Sequence, residues 1–247
     1  MSFAAELDSP QPARPRLARA ACGGVALSLH GVPATLRCSG ALWFPRARTL
    51  VVADLHLEKG SAYGARGQLL PPYDTRETLA RLAAEVAALE PSVLVLLGDS
   101  FHDRRAEERL DSQDAAAIEA LARACALIWV VGNHDADGPR RLPGEIAARL
   151  EVERLSLVHE PTSGRSPGEV AGHLHPCAKL VRYGRGLRSR CFLTDGERLI
   201  LPAFGAYAGG LNVLDAAFAG LFAGEAMAVA LGKGRAHALA LTTLSAD

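Results

Sequence analysis

A chain of 247 residues with 49% hydrophobic side chains can fill one sizeable core, and 27 basic residues balance 27 acidic ones, so no net field draws the whole molecule to nucleic acid or to an anionic membrane. The five cysteines (Cys22, Cys38, Cys125, Cys177, Cys191) are odd in number and lack a CxxC pair, which argues against a disulfide framework or a cysteine zinc site and fits a reducing cytoplasm. No apolar run approaches the roughly 20 residues that span a bilayer, so a soluble protein without a membrane partner is expected.

Residues 1–20 mix Pro, Ala and arginines with Glu6 and Asp8 and read as a poorly ordered leader ahead of a single domain over 21–247. Val25–Leu29 and Ala41–Phe44 read as short strands, and Thr49–Ala53 is a continuous apolar strand. After a Gly/Pro-rich loop, Asp74 with Glu77 three residues on forms an expected capping box. It leads into a helix with Leu79, Leu82, Ala83, Val86 and Leu89 at helical spacing, which Pro91 ends. A buried strand Val93–Leu97, a helix Asp111–Ala124 and a strand Leu127–Val131 complete a βαβ rhythm. From Val152 onward short strands alternate with Gly-rich turns and end in Met227–Leu231 and Ala236–Leu244, which predicts a second, largely antiparallel sheet.

Each apolar strand of the first half ends in residues able to bind metal: Asp54-Leu55-His56, Gly98-Asp99, and Gly132-Asn133-His134-Asp135. Ligands collect beyond the carboxyl ends of strands in open α/β sheets, so these endings are expected to share one crevice. Two later segments add His159 and the Gly172-His173-Leu174-His175 run. On extended backbone, positions i and i+2 point the same way, so Asp54 with His56, and His173 with His175, would each present two ligands. Carboxylate, amide and imidazole form a mixed O/N set suited to Mn2+ first, or to Fe or Zn2+, rather than Ca2+. Any one motif alone is ordinarily a surface turn. Their conjunction is what points to a site, since only His30 and His237 fall outside the motif regions.

These five motifs, in this order, resemble the calcineurin-like metallophosphoesterase superfamily. Asp54–Gly60, Leu69–Thr75 and Leu201–Gly205 further resemble the bacterial subfamily of ligase-associated DNA damage response endonucleases, PdeM. The resemblance implies an α/β fold, a four-layer α/β/β/α sandwich with two mixed sheets. It also implies two divalent metal ions, one held by Asp54, His56, Asp99 and His175, the other by Asp99, Asn133, His159 and His173. DNA is the substrate it implies, with functional association with a DNA ligase and a helicase. Relatives often carry Gly-Asp-x-x-Asp, whose second aspartate orients the catalytic histidine. Here His102 occupies that place; Asp103, one residue later, is the other candidate to orient His134, although a one-residue slip on extended backbone would turn it to the other face.

Two cations against the two charges of Asp54 and Asp99 leave a surplus that attracts a phosphodiester, and a water shared by the ions would supply hydroxide near neutral pH. His134, beside Asn133 but outside the ligand set, is placed to protonate the leaving oxygen. His102 reads as a solvated loop residue on one hand, or as an orienting partner or phosphate contact on the other. Arg104 and Arg105 read as phosphate contacts or as part of a solvated loop. Cys177 reads as a small buried hydrophobe, and Glu58 with Lys59 as a surface ion pair or loop anchors. Lys179, Arg182, Arg185, Arg188 and Arg190 form a local basic strip without an acidic residue, which would lead DNA towards the metals or serve only solubility. The reading is thus a dimetal phosphodiesterase or endonuclease acting on DNA in repair. Its alternatives are a phosphoesterase of a small nucleotide or other small phosphoester, and a non-catalytic metal-stabilised scaffold.

Overall fold

In the computed structural model, which describes residues 15–247 apart from Leu69 and Pro72, the first half of the chain builds a sheet in chain order. Its strands are β1 (Leu17–Arg19), β2 (Val25–Leu29), β3 (Val32–Leu36), β4 (Leu42–Phe44), β5 (Thr49–Ala53), β6 (Val93–Leu97), β7 (Ala126–Val130) and β8 (Glu145–Ala147). β1 to β5 pair antiparallel, while β5, β6, β7 and β8 run parallel. The expected leader is corrected at its end. Leu17–Arg19 pairs with Val25–Leu27, and the earlier part lies outside the described residues.

The helices are α1 (Lys59–Gly64), α2 (Asp74–Leu89), α3 (Ala106–Arg109) and α4 (Ser112–Ala124). Alternation along β5 and β6 sends Leu50, Val52, Leu94 and Leu96 to the helix side, where Leu79, Leu82 and Val86 of α2 and Ile118 and Leu121 of α4 meet them. Each such fully buried aliphatic contributes about 1.5–3 kcal/mol. α4 starts where Asp111 accepts from the Gln113 N–H at 2.6 Å, a side-chain cap. α2 lacks the expected box: Tyr73 is its N-cap, and the buried Asp74 carboxylate instead accepts from the Gly60 N–H at 3.0 Å, tying α2 to α1.

The second sheet contains β9 (Leu150–Val152), β10 (Leu155–Val158), β11 (Glu169–Ala171), β12 (Pro176–Arg182), β13 (Arg185–Thr194), β14 (Leu199–Ile200), β15 (Leu211–Asn212), β16 (Met227–Gly232) and β17 (Arg235–Ala240). It is mixed. β10–β11–β14 and β12–β15 are parallel and the other pairs antiparallel. The opposite faces of β5 and β6 (Val51, Ala53, Val95, Leu97) pack on Leu155, Leu157, Val170, Leu199 and Val229, so one apolar layer lies between the sheets. The outer face of the second sheet (Ala171, Cys191, Leu193, Ile200) is covered by Val213, Phe218, Leu221 and Leu241. This fourth layer consists of loops and the 3-10 turns Ala216–Phe218 and Leu241–Thr243 rather than α-helices. Among the described residues no helix is long and apolar enough to cross a membrane.

Candidate metal centre

The parallel strands β5, β6 and β7 end level, with Ala53, Leu97 and Val130 in register, so the residues that follow them emerge side by side. Across from them, β10 and β11 end at Val158 and Ala171, and the Gly172 N–H donates to the His159 carbonyl at 3.0 Å. The five strand ends therefore face one another at one edge of the inter-sheet layer.

Two clusters of side chains result. In the first, His175 Nε2 lies 3.2 Å from His56 Nε2 and 3.3 Å from Asp54 Oδ1. In the second, His159 Nε2 lies 3.2 Å from His173 Nδ1 and 3.4 Å from Asp99 Oδ1. Asp99 also groups with His56 and His134, so its carboxylate stands between the clusters. Asn133 is exposed in the turn between Gly132 and His134. The structure thus brings Asp54, His56 and His175 together on one side and Asp99, His159 and His173 on the other, while exposed Asn133 is not part of either group.

The residues fit divalent cations. Imidazole nitrogens and carboxylate oxygens converge at 3.2–3.4 Å within buried surroundings, where only a proton or a cation can relieve facing lone pairs. Burial first, then the His175 and His134 rings, lower the His56 pKa to about 3, which keeps its imidazole neutral as a ligand must be. Burial would raise Asp99, but the His159 contact, the His134 N–H at 2.9 Å and the neighbouring imidazoles hold it well below the usual carboxylate range. Burial would lower His159, yet Asp99 and Asp54 raise it, so both carboxylates favour positive charge at that place.

The local backbone is not the extended one that the i, i+2 argument assumed. Asp54, His56, Asp99, His173 and His175 all have left-handed φ, from 44° to 67°. Left-handed backbone is costly for residues with a Cβ and persists where surrounding contacts enforce it, characteristically at functional sites. Here the contacts are visible. The Asp54 N–H donates to the Gly98 carbonyl at 3.2 Å and the His56 N–H to the Asp99 carbonyl at 2.9 Å. The Asp54 carboxylate accepts from the His173 N–H at 2.9 Å. Gly98, at φ 71°, leaves room for the His159 ring, with which a Cβ would collide; at Gly132 a Cβ would strike the Asp99 carboxylate.

Asp135, in the same motif, had no assigned role in the sequence reading. Its buried carboxylate accepts from the N–H groups of Ser100 (2.7 Å), Phe101 (3.2 Å) and Gly132 (3.0 Å), clamping the β6 and β7 loops together. Burial pushes its pKa up against those bonds. The terminal Asp of the Gly-Asn-His-Asp run was the available signal.

The His134 ring donates from Nδ1 to the His102 carbonyl at 2.9 Å, and its Nε2 lies 3.9 Å from Asp99 Oδ2. The orienting group is thus the backbone of His102, while the His102 ring lies nearly parallel to that of His134, centroids 5.9 Å apart, and borders Tyr63 and His56. His102 is a wall of the site rather than a solvated loop residue. Asp103 is committed elsewhere, with its carboxylate 2.8 Å from Arg109 Nη2 and accepting from the Arg105 N–H. Against burial, these contacts hold its pKa low. Asp103→Asn is therefore expected to lower kcat on a phosphodiester less than about tenfold, far below the general-acid contribution of roughly 10²–10⁴. A loss as large as that of His134→Ala would assign Asp103 a place in the chemistry after all.

Arg104 is exposed. Lys59 donates to the Tyr207 carbonyl at 3.1 Å, a loop anchor, and its charge helps lower His56 and His102. Glu58 is no ion-pair partner for it; the Glu58 carboxylate is buried against Ser61 and Thr75. The basic strip divides. The β12–β13 register pairs Lys179 with Arg188 and Cys177 with Arg190 on one face, and puts Arg182 and Arg185, paired with each other, on the opposite face. Cys177 is buried on the first of these faces.

The family is shown by the sequence itself: the profile of the calcineurin-like phosphoesterase family matches residues 47–189, more than half of the chain, and the chain belongs to that family. Its chemistry is metal-dependent hydrolysis of phosphoesters. Among solved structures it is similar to the Pseudomonas putida nuclease MPE, with 27% identity, coverage of 87% of this chain and 100% of that one, and a TM-score of 0.65. It is also similar to Yfce, a phosphoesterase from E. coli, at 16% identity and a TM-score of 0.38, covering 78% of this chain and 98% of that one, a likeness that carries no argument. No curated protein matches the sequence.

Proposed function

We propose that the chain is a phosphodiesterase that cleaves DNA, with Asp54, His56, Asp99 and His175 holding one divalent ion, Asp99, Asn133, His159 and His173 the other, and His134 acting as general acid. The observation that carries it is the pair of facing clusters with the Asp99 carboxylate between them and His134 at their margin. Bound there, divalent ions supply Lewis acidity and water of lowered pKa. The protein's own contribution at the leaving group follows from His134. A carbonyl can only accept, so the bond to His102 fixes the proton on Nδ1 and leaves Nε2 to take up a second proton from solvent and deliver it. The ring is half exposed, so it can be reprotonated from solvent after each turnover.

Support for a nucleic-acid substrate comes from the similarity to the Pseudomonas putida nuclease over nearly the whole of this chain. Work in DNA repair, with a DNA ligase and a helicase as functional partners, follows from the subfamily resemblance, and a cytoplasmic location accords with the five free cysteines. Mn2+ is the metal that best suits a ligand set of oxygen and imidazole without thiolate. Chelation by EDTA is expected to abolish hydrolysis, with Mn2+ restoring it better than Mg2+, Ca2+ or Zn2+; full activity in excess EDTA would contradict the metal chemistry. The substrate class is tested by assaying nucleotides, small phosphoesters and single-stranded, nicked and duplex DNA side by side. Turnover of small phosphoesters with none of any DNA would replace the nuclease reading.

A further inference from the structure

A groove beside the second sheet gathers cations from three parts of the chain: Arg81 of α2, Arg188 and Arg190 of β13, and Lys233 of the β16–β17 turn. No carboxylate is among the described residues that line it. One of these charges, Arg190, is held without an ion-pair partner among the described residues, and a second, Arg81, is only loosely paired. Arg190 donates to the carbonyls of Ala203 (2.9 Å), Phe204 (3.3 Å), Gly205 (2.9 Å) and Ala206 (3.4 Å), which satisfy its N–H groups but bring no negative charge. Arg81 donates to the same Phe204 carbonyl and lies 4.6 Å over the Phe204 ring. Its Nε is buried without a partner, and Glu77 is no nearer than 3.9 Å. Burial, then the charge of Arg190, lowers the Arg81 pKa, as expected for like charges sharing a half-buried place. Arg188 does have a counterion, Asp247 at 2.6 Å, while Lys233 is exposed and has no ion-pair partner among the described residues.

The groove adjoins the metal centre. Gly210, in its wall, sits so close to the His175 carbonyl and to Cys177 Sγ that no Cβ would fit, and the Leu211 N–H donates to that carbonyl at 3.1 Å. Cys177, another wall residue, is two positions beyond the ligand His175 in the chain. The loop whose carbonyls hold Arg190 also donates from the Gly205 N–H to the Asp54 carbonyl.

We propose that this groove is the track of the nucleic-acid backbone flanking the scissile phosphate, so that phosphates on one side of the cut lie along Arg188, Lys233 and Arg81. The proposal rests on the nuclease reading above. It assigns binding to one face of the β12–β13 hairpin, that of Arg188, and not to Arg182 and Arg185.

The test compares two double variants of equal charge change in the full chain loaded with Mn2+: Arg188→Gln/Lys233→Gln in the groove, and Arg182→Gln/Arg185→Gln on the opposite hairpin face. Each is assayed on a labelled oligonucleotide and on bis(p-nitrophenyl) phosphate across a range of salt. The groove pair should lose kcat/KM on the oligonucleotide at least about tenfold more than on the chromogenic diester. Its salt slope should flatten by about 0.7 log unit per lost contact on a single strand and about 0.9 on duplex. The opposite-face pair should show neither effect. Equal losses for both pairs, or an unaltered salt slope for the groove pair, would overturn the groove while leaving the nuclease reading intact. If the unmodified protein hydrolyses the chromogenic diester but cuts no oligonucleotide, the nuclease reading fails and the groove with it.

Discussion

Asp99→Ala should strip the protein of both metal ions and reduce hydrolysis to background, a larger loss than any other single substitution at the centre. Its Oδ1 lies 3.4 Å from His159 Nε2 and accepts from the His134 N–H, its Oδ2 faces His134, and it groups with ligand atoms of both clusters. Removing it leaves two facing sets of imidazoles with half of their neutralising charge gone. Asp54→Ala is the instructive contrast. Asp54 belongs to the cluster of His56 and His175, but its carboxylate also accepts from the His173 N–H and lies 3.7 Å from His159 Nδ1. One ion should be lost and the affinity for the other should fall by about 10–100-fold, the usual effect of removing a group that orients a ligand. Elemental analysis after dialysis against limiting Mn2+ distinguishes the two variants. Two ions retained by Asp99→Ala would disprove its place between them.

His134→Ala should retain both ions and lose roughly 10²–10⁴ in kcat on an unactivated phosphodiester. On the proposed assignment His134, whose ring is held by the His102 carbonyl, is a proton donor and not a ligand; because it also groups with His56 and Asp99, loss of an ion from the variant would make it a ligand instead. A nitrophenolate leaves without needing a proton, so the loss should shrink on a nitrophenyl ester. An equal loss on good and poor leaving groups would reassign His134 to positioning or to electrostatic stabilisation.

The strands and the polar residues that cluster at their ends were legible because each signal is local: a run such as Thr49–Ala53 or Val93–Leu97 is apolar on both faces as a covered parallel strand is, and the polar residues follow it directly. The reason those residues can converge was not legible. Left-handed backbone at Asp54, His56, Asp99, His173 and His175 is imposed by bonds between loops up to 119 residues apart in sequence, which no local propensity encodes. Asp74 shows the same limit. A capping box was a sound local reading, but a buried tertiary partner, the Gly60 N–H, takes the carboxylate. The division of the basic strip was hidden for a different reason. A run of arginines gives charge per segment, whereas register decides face, and only the pairing of β12 with β13 separates Arg188 from Arg182 and Arg185. Likewise Arg81 and Arg190 have no relation in sequence until the Phe204 turn brings them together.

The central claim is that two ions share the Asp99 carboxylate at the facing strand ends, and anomalous diffraction from crystals loaded with Mn2+ tests it most directly. Two separate anomalous peaks should appear, one within coordinating distance of Asp54, His56, Asp99 and His175 and the other of Asp99, Asn133, His159 and His173. A single peak, or peaks away from Asp99, would contradict the account.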